Sequence, residues 1–178
     1  WLDFEYDVKD FLYFKIDRKK KILASTLLLG LGYSKQEIVN EFYENEKYIF
    51  DSKTQKWKTK FNPENYKAKN FSEEVIDANT GKVVIKLGDK INYLNAEKLA
   101  NDGLKNILVS KESLYGKFLH NEIKINEEEG GTFKIGSELN DTIIQQLLDA
   151  NIHTLEISVT NSINKGGYLL TTVFNDKN

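Results

Sequence analysis

The chain has 178 residues, 25 Lys and Arg against 27 Asp and Glu, a net charge of −2 and no cysteine. That length holds one or two domains with a proper core, and the missing cysteine excludes a disulfide framework, a thiolate nucleophile and a Cys-ligated zinc. The near-neutral balance lacks the basic excess of a stand-alone nucleic-acid binder, so any DNA contact is expected to be local and aided by a larger assembly. No apolar run is long enough to span a bilayer, and the first residues carry no signal-peptide pattern. The sequence starts at Trp1 and contains no methionine, from which we expect a piece excised from a larger protein.

In chain order, Leu2, Phe4, Tyr6 and Val8 alternate with Asp3, Glu5 and Asp7. This period of two is that of a half-buried strand. Lys9-Asp10 interrupts it, and Leu12, Phe14 and Ile16 resume it against Tyr13, Lys15 and Asp17. An antiparallel hairpin with one wet face is expected. Asp17-Arg18-Lys19-Lys20-Lys21 follows as a dense basic turn leading into the apolar segment Ile22–Leu31. Ala24–Gly32 reads as a helix closed by a left-handed glycine. Ser34-Lys35-Gln36-Glu37, followed by Ile38, Val39 and Phe42, is a capping-box sequence that starts a second helix running to about Glu44. Beyond it the pattern changes to short strands at Tyr48–Asp51 and Gln55–Phe61. Asn79-Thr80-Gly81 joins two further strands, Glu74–Ala78 and Lys82–Leu87.

A near-repeat occupies the second half. Lys82–Ser110 aligns with Gly130–Ser158 at a constant offset, pairing Gly88 with Gly136, Ile91 with Leu139, Leu99 with Leu147, Leu104 with Ile152, Ile107 with Leu155 and Ser110 with Ser158. Each copy reads strand, glycine, polar cap, helix, strand, with helices at Asn95–Asn101 and Asn140–Ala150 and Asn95 and Asn140 as N-caps. Two degenerate copies are weak evidence beside the three or more of a repeat array, and coincidence competes with a pseudo-symmetric domain.

Candidate chemistry is sparse. His120 and His153 are the only histidines and lack zinc-ligand spacing, so surface or strand positions are favoured. Glu127-Glu128-Glu129-Gly130-Gly131 lacks the spaced oxygens of a calcium loop and reads as an acidic hairpin turn. Gly30-Leu31-Gly32 lacks the third glycine of a dinucleotide fingerprint. Asn70-Phe71-Ser72 and Asn140-Asp141-Thr142 fit the glycosylation triplet, which a cytosolic chain ignores. No carboxylate pair stands out for acid–base work. Trp57, between Lys56 and Lys58, is weighed as a stacking platform, but the alternation Gln55, Trp57, Thr59, Phe61 favours an inward strand face. Arg18, Lys19, Lys20 and Lys21 suit phosphate contact, against the commoner alternative of a solvated turn.

The ordered run from Trp1 through LDFEYD, IDRKKK and ASTLLLGLGYS resembles the β subunit of bacterial RNA polymerase, in the portion called the β lobe. The likeness covers Trp1 to about Phe42 and returns more weakly at Lys165–Asn178. Two departures are Leu23, where the family usually has proline, and lysines where it usually has arginines. The first bears on entry to the helix, and the second keeps charge while losing the planar fork that grips phosphate.

The resemblance implies an α+β fold: a lobe portion at 1–42 and 165–178, with an antiparallel hairpin and two helices. A lineage-specific accessory domain at 43–164, mixed α/β with two strand-helix-strand units, is inserted in it. It further implies a non-catalytic part of a DNA-directed RNA polymerase, lining the downstream DNA cleft and contacting the non-template strand. Trp1 would stack on an unpaired non-template base, a contact of about 1–3 kcal/mol. Asp17 would lie beside that site and position a neighbouring cation, and Arg18, Lys19 and Lys20 would meet phosphate. The parent enzyme, a nucleotidyltransferase, uses magnesium bound elsewhere, and no cofactor is expected in this piece. The implied partners are the remaining polymerase subunits, DNA within the full enzyme and regulators on the insertion, with no membrane, in the cytoplasm. The alternatives are a stand-alone protein-binding module with no nucleic-acid role and, more weakly, a small hydrolase.

Overall fold

The computed structural model describes residues 2–9, 11–66, 69–70, 73–125, 131–160 and 168–177. Trp1, the acidic residues Glu127–Gly130, Phe71-Ser72 and the proposed boundary at Asn164 lie outside them.

The expected hairpin forms and gains a third strand. β1 (Leu2–Tyr6), β2 (Leu12–Ile16) and β3 (Lys20–Leu23) make an antiparallel sheet in that order. The basic run is therefore not a strand-to-helix turn: Lys20 and Lys21 are already paired with Ile16 and Lys15. Asp17 and Arg18 reverse the chain with positive φ values of 50° and 59°, and the Lys19 amide donates to the Ile16 carbonyl. Two successive positive φ values belong to the mirror-image turns whose twist matches a hairpin. On one face the cross-strand rows are Leu2–Ile16–Lys20 and Phe4–Phe14–Ile22. Phe14 is buried, whereas Leu2, Phe4 and Tyr6 keep 53%, 59% and 61% of their surface exposed, so the face expected to be covered is only half covered.

α1 (Ala24–Gly30) follows β3 directly. Its N-cap is Leu23 at φ −55°, with no side-chain cap hydrogen bond. Its end is a full Schellman motif: Gly32, at φ +98°, donates to Leu29 and Tyr33 donates to Leu28. This is the glycine closure expected from sequence. α2 (Lys35–Phe42) begins with both halves of the Ser34–Glu37 capping box and ends two residues before the expected Glu44.

The rest of the chain builds a larger body. β4 (Asn45–Asp51) and β5 (Lys56–Lys60) form a central hairpin, followed by a 3₁₀ turn at Pro63–Tyr66. β6 (Lys69–Asn70), β7 (Val75–Asp77), β8 (Val83–Ile85) and β9 (Lys90–Ile91) lead to α3 (Tyr93–Asn101) and β10 (Asn106–Val109). β11 (Phe118–Leu119), β12 (Ile123–Lys124), β13 (Thr132–Phe133), α4 (Asp141–Asp149) and β14 (Thr154–Ser158) complete it. The main sheet runs β11-β14-β4-β5-β10-β7-β8, and its neighbouring strands are antiparallel throughout. Trp57 is fully buried in it, with Thr59 and Phe61 on the same inward face, which settles the strand reading over a stacking platform.

The near-repeat is structural. Leu155, Tyr48, Thr59 and Ile107 occupy one row across β14, β4, β5 and β10, so the two repeat strands flank the central hairpin about a local dyad normal to the sheet. The helices are capped alike: Asn92 accepts from the Asn95 amide and Asn140 from the Ile143 amide, each at 2.9 Å. Asn95 is thus not the cap of α3 but its third residue. The true cap, Asn92, is the position that matches Asn140. The helix ends also correspond, with Leu104 donating to Leu99 and Ile152 to Leu147.

α5 (Tyr168–Asn175) returns to the N-terminal sheet. Its Thr172 hydroxyl accepts from the Leu12 amide at 2.9 Å. Past its end, the buried Asp176 carboxylate accepts from Ser25 and Thr26, in the first turn of α1. Leu169, Leu170 and Val173 make a cluster with Ile38, Val39 and Tyr43, separate from the larger core of the main sheet. Phe118 and Ile135 of the body pack against this smaller cluster.

Gly136 makes that seat. It has φ +81°, and a Cβ there would lie 2.6 Å from the Leu170 carbonyl oxygen. A non-glycine residue in left-handed backbone costs roughly 1–2 kcal/mol even in open space. Gly88→Ala, at φ +84° with nothing among the described residues within 4 Å, should therefore lose about that much stability. Gly136→Ala should lose about 3 kcal/mol or more. Urea midpoints of the two variants check the difference.

Candidate nucleic-acid interface

The basic segment divides into cations that are already neutralised and cations that are not. Alternation in β1 and β2 puts Glu5 and Lys15 on the wet face, and the turn brings Lys21 of β3 beside Lys15. Glu5 accepts from Lys15 Nζ at 2.6 Å and from Lys21 Nζ at 2.9 Å. Lys21 also sits 4.3 Å from the centre of the Tyr13 ring, a cation–π geometry. The hydrogen bonds from Lys15 and then Lys21 hold the Glu5 carboxyl below its ordinary value, and Glu5 raises the Lys21 ammonium in return.

Asp17, Arg18, Lys19 and Lys20 are brought together at the exposed tip of the β2–β3 hairpin. Among the described residues neither Lys19 nor Lys20 makes an ion pair, so both ammonium groups face solvent. Pairing resumes at Ile16–Lys20, which leaves Lys19 as one extra residue in the turn. The arrangement is a compact cationic tip on a rigid two-strand ribbon, suited to meeting phosphate without reading base sequence. Trp1 lies outside the described residues, one position before β1. Glu5 and Tyr13 were missed as partners of the segment. Their positions on the wet face were legible, but the register that sets them against Lys21 was not.

The other sequence candidates separate cleanly. His153 is exposed and lies 5.8 Å from the Phe50 ring. His120 is buried, contrary to a surface placement. Its Nε2 donates to Asn40 Oδ1 at 2.9 Å, and its Nδ1 accepts from the Ser158 hydroxyl at 2.8 Å. That assignment follows because the Asn40 oxygen, which also takes a hydrogen bond from Gln36, can only accept. Burial lowers the pKa of this imidazole. His120 thus joins α2 to β14 as a neutral structural link. Among the described residues no group of three or more His, Asp or Glu is placed to hold a metal ion, and no helix is long and apolar enough to cross a membrane.

Because the folded pKa of Glu5 is lowered, its stabilising pairs are present above the ordinary value of 4.5 and are lost as pH falls below it. Following the β1–β3 amide signals from about pH 6 down to about pH 3 should show the sheet loosening in that window. Glu5→Gln should remove this dependence while leaving the tip cations in place.

No family model matches the chain. Whole-chain relatives do. All 178 residues align with the DNA-directed RNA polymerase subunit beta of Rickettsia prowazekii at 38% identity, and with those of Rickettsia felis and Rickettsia akari at 37%. The chain spans 13% of the length of each of these relatives. The likeness read in Trp1–Phe42 therefore extends through the body built on the two repeat units: over its full length, this chain is similar to one segment of the DNA-directed RNA polymerase β subunit.

Proposed function

We propose that the chain is a non-catalytic segment of a DNA-directed RNA polymerase β subunit, acting in transcription at the downstream DNA cleft. The observation that carries this is identity of 36–38% over the entire chain to β subunits, with the exposed Arg18-Lys19-Lys20 tip as the feature suited to DNA. In this role the tip meets the phosphates of downstream DNA. Asp17 sits within the turn that presents those cations, and Trp1 stacks on an unpaired non-template base. Nucleotide addition and its magnesium belong to other parts of the parent enzyme, and the partners are the other polymerase subunits and DNA, in the cytoplasm. The net charge of −2 fits a segment that leans on the rest of the enzyme for affinity.

Within that role, residues 1–42 and 165–178 form lobe sequence and 43–164 an inserted body. The separation between the Ile38–Leu170 cluster and the main-sheet core supports such a division. The Tyr43 ring packs in the smaller cluster, so an excision that tests the boundary keeps Tyr43.

In a polymerase holoenzyme carrying this β subunit, changing Arg18, Lys19 and Lys20 together to alanine should shorten open-complex lifetime several-fold. It should also flatten the salt dependence by about 0.9 in log–log slope for each phosphate that the tip no longer neutralises. Elongation on a preformed scaffold should change little. Trp1→Ala should shorten the same lifetime without altering the salt slope. Unchanged lifetimes in both variants would remove the tip and Trp1 from any DNA role. Replacing 44–164 by a short linker should leave a subunit that still assembles into polymerase, and loss of assembly would place the body within the structural core.

A further inference from the structure

The N-terminal sheet keeps its carboxylates and its exposed rings on opposite faces. Asp3 and Glu5 of β1 lie on the wet face, where Glu5 holds Lys15 and Lys21. The other face carries the cross-strand rows Leu2–Ile16–Lys20 and Phe4–Phe14–Ile22, with Tyr6 opposite Leu12 beyond them. Among these described residues there is no carboxylate, and Lys20 is the one charged side chain. Phe14 is buried and Leu12 packs against the smaller cluster. Cover on this face thus reaches β2 but leaves Leu2, Phe4, Tyr6 and Ile16 exposed. The Tyr6 ring meets the ring of Tyr168, the first residue of α5, at 4.8 Å, which marks where the cover stops.

The spacing and the charge of this bare face both bear on what it can hold. Phe4 and Tyr6 stand two residues apart on one strand, about 6.8 Å along its axis, twice the roughly 3.4 Å between nucleotides of a duplex strand. Two rings so placed fit an extended strand whose bases are parted, not a stacked duplex. Every base offers a π face, so stacking on aromatic side chains tolerates any sequence. Aromatic residues on an open sheet face bind unpaired bases in this way in RNA-recognition modules. The Leu2–Ile16 row ends at Lys20, and Arg18 and Lys19 follow at the hairpin tip. A polyanion is therefore met by cations at the end of the aromatic face, while Asp3 and Glu5 repel it from the wet face.

We propose that the exposed Phe4–Tyr6 face of the N-terminal sheet is a stacking platform for the unpaired bases of a single DNA strand, with Lys20 at its end meeting the phosphate backbone. The inference rests on the transcription role given above and extends it from the cationic tip to the face behind the tip. One base lies on the Phe4 ring and a neighbouring base on Tyr6. Leu2 and Ile16 continue the apolar floor from Phe4 towards Lys20, so the strand runs from the rings to the cations without crossing a carboxylate.

The test uses polymerase holoenzyme carrying this β subunit, with 5-iododeoxyuridine at successive positions of the unpaired non-template strand of an open complex. On irradiation this base cross-links to an aromatic ring on which it stacks. Cross-links to Phe4 or Tyr6 are expected from one or two adjacent positions. Phe4→Ser, a change at an exposed position, should cut their yield and shorten open-complex lifetime, each by about fivefold or more. Phe4→Tyr should keep both near normal, whereas Phe4→Leu, which retains apolar bulk without a π face, should not. Equal rescue by leucine would mean simple packing and would overturn the proposal. If the Arg18, Lys19 and Lys20 alanine variant shortens the lifetime but no cross-link reaches Phe4 or Tyr6, the platform falls and the role of the tip stands. Unchanged lifetimes in the tip, Trp1 and Phe4 variants would remove both. Protection of Phe4 and Tyr6 from hydroxyl-radical oxidation in the DNA-free enzyme would show that protein covers this face, and would also overturn the proposal.

Discussion

A side chain at position 136 would collide with the backbone of α5, and that steric constraint joins the two parts of the molecule. α5 reaches Gly136 with Leu170, Leu12 of the N-terminal sheet with Thr172, and the first turn of α1 through Asp176 just past its end. The smaller cluster joins Leu169, Leu170 and Val173 of this helix to Val39 and Tyr43, with Ile135 and Phe118 packed against it. His120 adds a second tie, since its two ring nitrogens are shared between Asn40 of α2 and Ser158 of β14. A neutral imidazole with both nitrogens satisfied is cheap to bury, whereas the same ring lacking a partner would cost about 1–3 kcal/mol. Gln36 adds another tie, donating from Nε2 to the His120 carbonyl at 2.9 Å, so the sheet body and the N-terminal portion are held by a close backbone contact, these polar links and apolar packing.

What was legible in the sequence is what short-range chemistry decides. Ser34 and Glu37 announce α2 because a capping box needs only four residues. Gly32 announces the end of α1 because its φ must be positive there. Asn140 was legible for the same reason, and Asn95 misled because Asn92, three residues earlier, offers the same side chain in the same role. The repeat itself was detectable since both units keep their cap, helix end and glycine turn. β3 was hidden by composition: four consecutive cations suggest a solvated turn, yet the reversal at Asp17-Arg18 is tight enough for Lys20 and Lys21 to enter the ladder. The neutralisation of Lys15 and Lys21 by Glu5, the burial of His120 and the docking of α5 depend on residues distant in sequence. No local pattern encodes them.

Charge on the N-terminal sheet is sorted more than accumulated. One carboxylate on the wet face absorbs two lysines, while Lys19 and Lys20, near the end of the ribbon, make no ion pair among the described residues. A near-neutral chain can in this way still present a small field of one sign. The body shows a parallel asymmetry. Its two units share a backbone plan but not a charge pattern: Lys90 and Lys98 stand opposite Glu138 and Gln146, while Asp89 and Asp102 stand opposite Ser137 and Ala150.

β1 is the last strand on one side of its sheet, so one row of its amides and carbonyls faces outward among the described residues, next to the exposed rings of Phe4 and Tyr6. Such an edge is a template for another strand. The alternation that gives β1 its apolar side also spaces Asp3, Glu5 and Asp7 along the opposite side. Glu5 on that side is held by Lys15 and Lys21, so a second strand laid along this edge would meet fixed charges of both signs beside the bare backbone. Charged side chains on an edge are a device that discourages edge-to-edge pairing.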